Sequence, residues 1–364
     1  MHSILMNLSI GLQTAFTFTN ILWVFIGGTL GTIIGMLPGL GPATGVAILI
    51  PITFGMNPAT ALITMAAVYY GAMFGGSRAS IMLNIPGDAS AIVSCFDGYP
   101  MTKKGKAGTA LAISAIASFI GGMIGMIFMV FLSQPVASAA LRFGPAEMFS
   151  LMAFALVATI TLSEGNLLKG LFSIVVGLML STIGIDPLAG VVRFTYGISS
   201  LNEGIDFLVV IIGVYAVTEV YKNLKSIDTV YNFDSKSIGK VRVSKEEFKQ
   251  CLVPMLRSTP LGFVIGVLPG MGGTIATFMS YAMEKNLSKH PEEFGKGTIE
   301  GLAAPEAANN ACSCGAMVPL LTLGIPGSAT TAVMLGALML LGVRPGPTLF
   351  TDHPDIAWGV IASM

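Results

Sequence analysis

Two apolar stretches in different halves of this chain are broken in the same unusual way. Residues 35–41 read GMLPGLG and residues 266–272 read GVLPGMG, with five of seven positions identical. A second matched pair follows each of them, LNIPGDASAIV at 83–93 and LGIPGSATTAV at 323–333. Proline removes a backbone donor and clashes with the preceding turn, and glycine frees the backbone, so neither step continues a helix. Paired Gly/Pro interruptions in corresponding hydrophobic segments are the sequence mark of a carrier whose site lies between two repeats. A chain built this way cannot be a simple bundle of unbroken helices.

The setting of these breaks is apolar. Hydrophobic residues make up 53% of the chain, charged residues 10%, and mean hydropathy is +0.79. A soluble domain carries about 25% charged residues. Runs near 20–37, 107–132, 148–163, 166–185 and 205–221 are long enough for a hydrocarbon core of about 30 Å. The expected fold class is an all-α polytopic membrane protein with two inverted structural repeats, broken helices and re-entrant hairpins. A formal net charge of zero leaves no nucleic-acid footprint. No basic leader followed by a small-residue cleavage site opens the chain, so residues 1–20 read as a leading or interfacial helix.

Charge divides the rest. From Lys222 to Arg257, eight Lys/Arg stand against four acids, and this connector is expected on the cytoplasmic side. It separates a first repeat with following helices, 21–221, from a second repeat, 258–364. Lys103, Lys104 and Lys106 also point inward, whereas their counterparts Val343, Arg344 and Gly346 are much less basic. That difference favours repeats of opposite orientation. The last apolar stretch, Ile356 to Met364, is too short to span, and the second repeat is expected to continue beyond it.

Broken backbone is tolerated in a bilayer only where protein or water satisfies it. Pro38-Gly39, Pro86-Gly87, Pro269-Gly270 and Pro326-Gly327 are therefore expected to face a cavity. Small polar residues gather around them, and Thr44, Ser77, Asn84, Ser90, Thr274, Asn309, Asn310, Ser328 and Thr330 are the candidate substrate-binding residues. Hydroxyls, amides and freed N–H groups at half-helix N-termini suit a carboxylate. Unwound backbone near Gly41 and Gly272, together with Glu306, suits Na⁺. The plainer alternative for any one Ser or Thr is close helix packing.

Buried charge is costly at membrane depth. Arg78 reads either as a carboxylate-binding group or as a structural partner of Asp88, and Glu306 as a cation ligand or a packing acid. Asp97 in DGYP reads as a turn residue that caps or pairs with the nearby lysines. Cys312-Ser-Cys314 lacks the further ligands of a tetrahedral metal site. None of the Gly-Lys pairs is followed by Ser or Thr, so ATP hydrolysis is disfavoured. No catalytic constellation or cofactor is expected.

The runs YYGAMFGGS, LNIPGDAS, DGYPMTKKGKAG, PEAANNAC, PLLTLGIPGSATTAVMLGALML and GVRPGPTLF, in that order, closely resemble the large membrane subunit of tripartite tricarboxylate transporters, TctA-type. The resemblance runs from about residue 20 to the end, apart from the connector. It implies a secondary carrier of the bacterial cytoplasmic membrane, driven by a Na⁺ or H⁺ gradient. A periplasmic solute-binding protein would deliver a small carboxylate, and a small membrane subunit would accompany the large one. The family's motif residues would be 35–45, 77–90, 266–274, 305–313 and 322–331. The competing class is a channel-like or passive anion pore.

Overall fold

The structure is a computed structural model, and it describes residues 2–37, 39–159, 167–186, 191–202, 204–205, 210, 213–214, 221 and 239–364. The first half opens with α1 (His2–Ala15), α2 (Phe18–Met36), α3 (Pro42–Thr53) and α4 (Pro58–Leu83). A short 3₁₀ turn, Ala89–Ala91, then leads into α5 (Ile92–Lys103) and α6 (Ala107–Ala140). After α7 (Pro145–Thr159) and α8 (Leu167–Ser181) comes a small ribbon, β1 (Gly184–Ile185) paired antiparallel with β2 (Val192–Arg193). The second half has α9 (Lys245–Val267), α10 (Gly272–Leu287), α11 (Ile299–Leu323) and α12 (Ala329–Leu340). It closes with α13 (Leu349–Asp352) and α14 (Pro354–Ser363). The fold is all-α in class.

Four described helices, α2, α4, α6 and α9, are long and apolar enough to cross a membrane. By contrast α3 and α12 have 12 residues each, a length of about 18 Å, and cannot span. Each comes directly after one of the Pro-Gly breaks, which is why they stop short.

The breaks repeat one backbone course. Leu37 and Leu268 leave their helices extended, with ψ of 125° and 120°. Gly39 and Gly270 then turn left-handed at φ of 80° and 79°. At the second break Asn84 and Gly324 are left-handed helix stops, φ 58° and 69°. Asp88 and Ser328 cap the next helical turn in each half, accepting from the Ala91 and Thr331 amides. Pro38 lies outside the described residues.

Small residues bring the helices together, as expected where lipid supplies no hydrophobic drive between them. Gly27, Gly31 and Gly35 of α2 face Thr64, Val68 and Ala72 of α4, so α2 and α4 run parallel. Gly262 and Gly266 of α9 face Ala308 and Cys312 of α11 in the same manner. The hairpin tip at Gly327 has no room for a side chain. A Cβ there would stand 2.8 Å from Ala316 Cα and 2.9 Å from the Gly266 carbonyl.

At the centre α4 and α11 pass each other in opposite directions. Tyr70 meets Cys314, while Arg78, two turns later in α4, is bridged through Ser114 to Glu306, two turns earlier in α11. Helix α6 runs parallel to α11, Gly121 facing Ala307 and Gly125 facing Ala311. The short helices exchange partners: α3 packs on α12, and α10 packs on Ala89–Ala91 and α5. The main apolar core lies around α3, α4, α11, α12 and α14, and a second cluster joins α5, α6, α9 and α11. Outside it, Phe149, Phe154, Leu168 and Phe172 of α7 and α8 stand exposed, as lipid-facing side chains would.

One boundary is drawn more finely by the structure. The charged connector does not run unbroken to Arg257, because Ser244 and Glu247 form a reciprocal capping box that starts α9 at Lys245. Its stretch 222–238, and most of the apolar run 205–221, lie outside the described residues. The leading helix α1 packs on α14, with Gly11 against Trp358 and Gly359 against Thr14.

Candidate functional site

The interrupted elements of the two halves meet at mid-depth of α4 and α11. From the first half, the tip after Pro86 carries Gly87, Asp88 and Ser90. Gly87 sits between Gly35 and Gly76, and Asp88 Cβ lies 3.1 Å from where a Cβ on Gly41 would stand. Asp88 accepts from the Ala91 amide at 3.2 Å and from Ser90 Oγ at 2.9 Å. Across from it is the N-terminal turn of α10: a Cβ on Gly273 would lie 3.1 Å from Ser90 Cβ and 2.6 Å from Asn309 Oδ1. From the second half, the tip after Pro326 brings Ser328 Oγ to 3.5 Å from the Tyr69 hydroxyl in the middle of α4.

Among the expected site residues, Ser90 and Asn309 therefore come together at Gly273, and Ser328 lies at a second contact of the halves, on Tyr69. Thr44 and Thr330 are buried on α3 and α12, the helices that pack on each other, and Thr274 is half-buried in the first turn of α10. Asn310 is buried next to Asn309, donates to the Glu306 carbonyl at 3.0 Å and lines a cavity of about 580 Å³ between α2, α4, α6 and α14. Gly87, Pro269, Gly270, Gly272 and Gly327 are buried, Gly41, Pro86 and Pro326 half-buried. Gly39 is exposed.

Two expected residues sit elsewhere. The Asn84 side chain is exposed, and the residue serves as the left-handed stop of α4. Ser77 is buried but turns back on its own helix, its hydroxyl 3.4 Å from the Met73 carbonyl.

One turn from the asparagine pair lies a charged network. Glu306 is 1% exposed and accepts from Ser94, from Ser114 at 2.8 Å and from Ser118 at 3.2 Å. Arg78 donates to the Phe74 carbonyl at 2.9 Å and to Ser114 Oγ at 3.2 Å, and its guanidinium lies over the Phe74 ring. The expected Arg78–Asp88 partnership is corrected by these contacts. No ion pair joins them among the described residues, because Arg78 leaves α4 toward α6 while Asp88 folds back as a helix cap.

Asp97 is likewise corrected. It lies within α5 rather than in a turn, fully buried, and takes the amides of Gly295, Gly297 and Thr298 at 3.0, 2.7 and 2.8 Å. It thus caps the approach to α11 from the other half, and does not pair with the lysines. Lys104 donates instead to the Lys296 carbonyl at 2.6 Å, and Lys103 lies over the Tyr99 ring.

Sequence reasoning passed over Tyr69, Tyr70, Ser94, Ser114 and Ser118. The spacing of Ser114 and Ser118, four apart within an otherwise apolar helix, was the available sign that one face of α6 answers a buried polar group. Cys312 and Cys314 are free and buried, Cys314 bonding the Tyr70 hydroxyl at 2.6 Å.

Apolar spanning helices around a buried polar meeting point of broken segments define a multi-pass membrane protein of the transporter class. The chain belongs to the tripartite tricarboxylate transporter TctA family, which matches residues 21–364. It is 46% identical, over all of its length and 72% of the relative's, to an uncharacterized 52.8 kDa protein in the TAR-I ttuC' 3' region of Agrobacterium vitis. A second relative, an uncharacterized protein in the TAR-II ttuC' 3' region of the same organism, is 54% identical over 28% of this chain and 43% of its own length. No solved structure matches.

Proposed function

We propose that this chain is the membrane subunit of a secondary carrier that imports a small organic carboxylate across the bacterial inner membrane. A periplasmic solute-binding protein delivers the substrate, a small membrane subunit completes the assembly, and a Na⁺ or H⁺ gradient drives uptake. The family supplies the tripartite organisation. The observation that carries the reading is the convergence of helix N-termini from both halves, Gly273 of α10 against Ser90 after the first break. Freed amides and the positive ends of helix dipoles favour a carboxylate at such a place.

In this reading the halves are inverted repeats, as the opposed courses of α4 and α11 suggest. Ser90, Asn309, Asn310, Ser328, Thr330, Thr44 and Thr274 line the pathway, and the tips move past α4 and α11 during transport. Asn310→Leu tests the assignment. The variant is expected to reach the membrane in normal amount and to lose carboxylate uptake. Normal uptake would remove Asn310 from the site. A saturable, ion-driven flux in proteoliposomes separates a carrier from a passive pore, whose flux follows the substrate gradient alone.

A further inference from the structure

Helix α10 turns large apolar side chains outward and keeps small and polar ones inside. Phe278 and Met279 are exposed, whereas the buried residues are Gly272, Ala276, Thr277, Ser280 and Glu284. These recur at the spacing of one helix face, and α10 packs on α9 and α11. Small residues alone would describe close packing. The hydrogen bonds say more. Of the eight buried side-chain polar atoms without a partner among the described residues, four lie on these three helices: Ser258 Oγ, Ser280 Oγ, Glu284 Oε1 and Asn309 Oδ1. None of the four residues is more than 2% exposed. A buried polar atom left unbonded is costly, so a dry seam would not gather them. Water or a polar solute satisfies such a row.

The row joins two places. It begins at Gly273, where Asn309 and Ser90 meet, and Glu284 lies three turns further along α10, about 16 Å away. That distance is about half the thickness of the hydrocarbon. At the Glu284 end there is a cavity of about 250 Å³, whose lining includes Gln250, Arg257, Glu284, Lys289 and His290. Lysines gather at this end, and it is the side expected to be cytoplasmic. Here Arg257 Nη2 donates to Glu284 Oε2 at 2.6 Å, joining α9 to α10. The acid is buried and the arginine side chain 41% exposed, so the pair stands where the row meets the cavity. A guanidinium released from Glu284 offers its planar fork to another carboxylate.

We infer that Thr277, Ser280 and Glu284 line the route by which the carboxylate passes from the meeting point to the cytoplasm, and that the Arg257–Glu284 pair closes its inner end. This rests on the proposed transport function and names the residues by which the substrate leaves. When the pair parts, Arg257 exchanges the Glu284 carboxylate for that of the substrate, and the bared acid repels the anion toward the cavity and Lys289.

Thiol labelling tests the route without depending on transport. The Ser280→Cys and Met279→Cys variants of the full chain are treated, in inside-out and right-side-out vesicles, with a charged, membrane-impermeant methanethiosulfonate. Peptide mass spectrometry locates the label, so the native cysteines stay in place. From the cytoplasmic side Ser280→Cys should react at least about tenfold faster than Met279→Cys, which the reagent reaches only through lipid, where charge is costly. Adding Arg257→Gln or Glu284→Gln should speed the Ser280→Cys reaction about threefold or more. If one of these does not fold, the other decides. A Ser280→Cys protein that resists the reagent on the cytoplasmic side, or reacts no faster than Met279→Cys, overturns the route. Unchanged rates in the folded pair variants overturn the closure. Uptake is scored separately: labelling without carboxylate uptake by the unlabelled protein leaves the aqueous route and removes the transport reading, whereas full uptake after complete labelling overturns the route.

Discussion

The Asp97 carboxylate accepts the Tyr281 hydroxyl at 3.0 Å across the boundary between the halves. The same carboxylate collects three backbone amides just before α11. It is the most heavily bonded acid among the described residues, and it lies on the side where the lysines gather.

Removing it should be costly. Asp97→Ala removes a buried carboxylate that accepts three backbone amides, and hydrogen bonds to a charged group are worth about 1.5–3 kcal/mol each. Thermal unfolding in detergent should show a loss of at least about 3 kcal/mol, against about 1 kcal/mol for Tyr281→Phe. Equal losses for the two variants would mean that the amides find other partners.

Arg78 and Glu306 should behave as a coupled pair although a serine hydroxyl stands between them. Arg78→Met alone leaves a buried acid uncompensated and is expected to lose about 3 kcal/mol or more. The double variant Arg78→Met, Glu306→Gln should lose less than the sum of the singles, with an interaction of about 1–3 kcal/mol. Strict additivity in that cycle would refute the pairing.

Gly266, like Gly262, is a place where α9 lies against the backbone of α11. Gly266→Leu would drive a side chain into the Cys312 backbone and separate the helices, for about 3 kcal/mol or more. Leucine at Gly28, where a Cβ meets nothing within 4 Å, should be tolerated. Expression and monodispersity of the two variants give the comparison.

Asn84 should prove to be a conformational residue. Asn84→Gly keeps the left-handed stop seen at Gly324 and should leave uptake intact, whereas Asn84→Val strains the turn by about 1–2 kcal/mol. Loss of uptake in a stable Asn84→Gly protein would return the side chain to the binding site.

The breaks were legible because Pro-Gly steps act locally: the left-handed turns at Gly39 and Gly270 arise from the residues themselves. The Ser244-x-x-Glu247 box was equally local, and it marks the start of α9 that a reading of charge alone placed later. What the residues did not disclose is which way side chains leave α4. Gly76 faces the first tip and Arg78, two positions on, faces α6, so Asp88 and Arg78 are near in sequence but turned apart. Asp97 was hidden for the same reason, since its partners lie about two hundred residues downstream and no periodicity reports them. Ser90 and Asn309 were found by chemical type, and their meeting at Gly273 needed coordinates.

The exchange of short helices has a consequence for biogenesis. α3 finds part of its packing on α12, and α10 on the turn before α5, so neither half can finish itself. A ribosome that has released only the first of them leaves polar tips waiting in lipid for surfaces not yet synthesised. Severed at the connector and expressed together, the pieces should reassemble; expressed singly, each should be cleared by quality control.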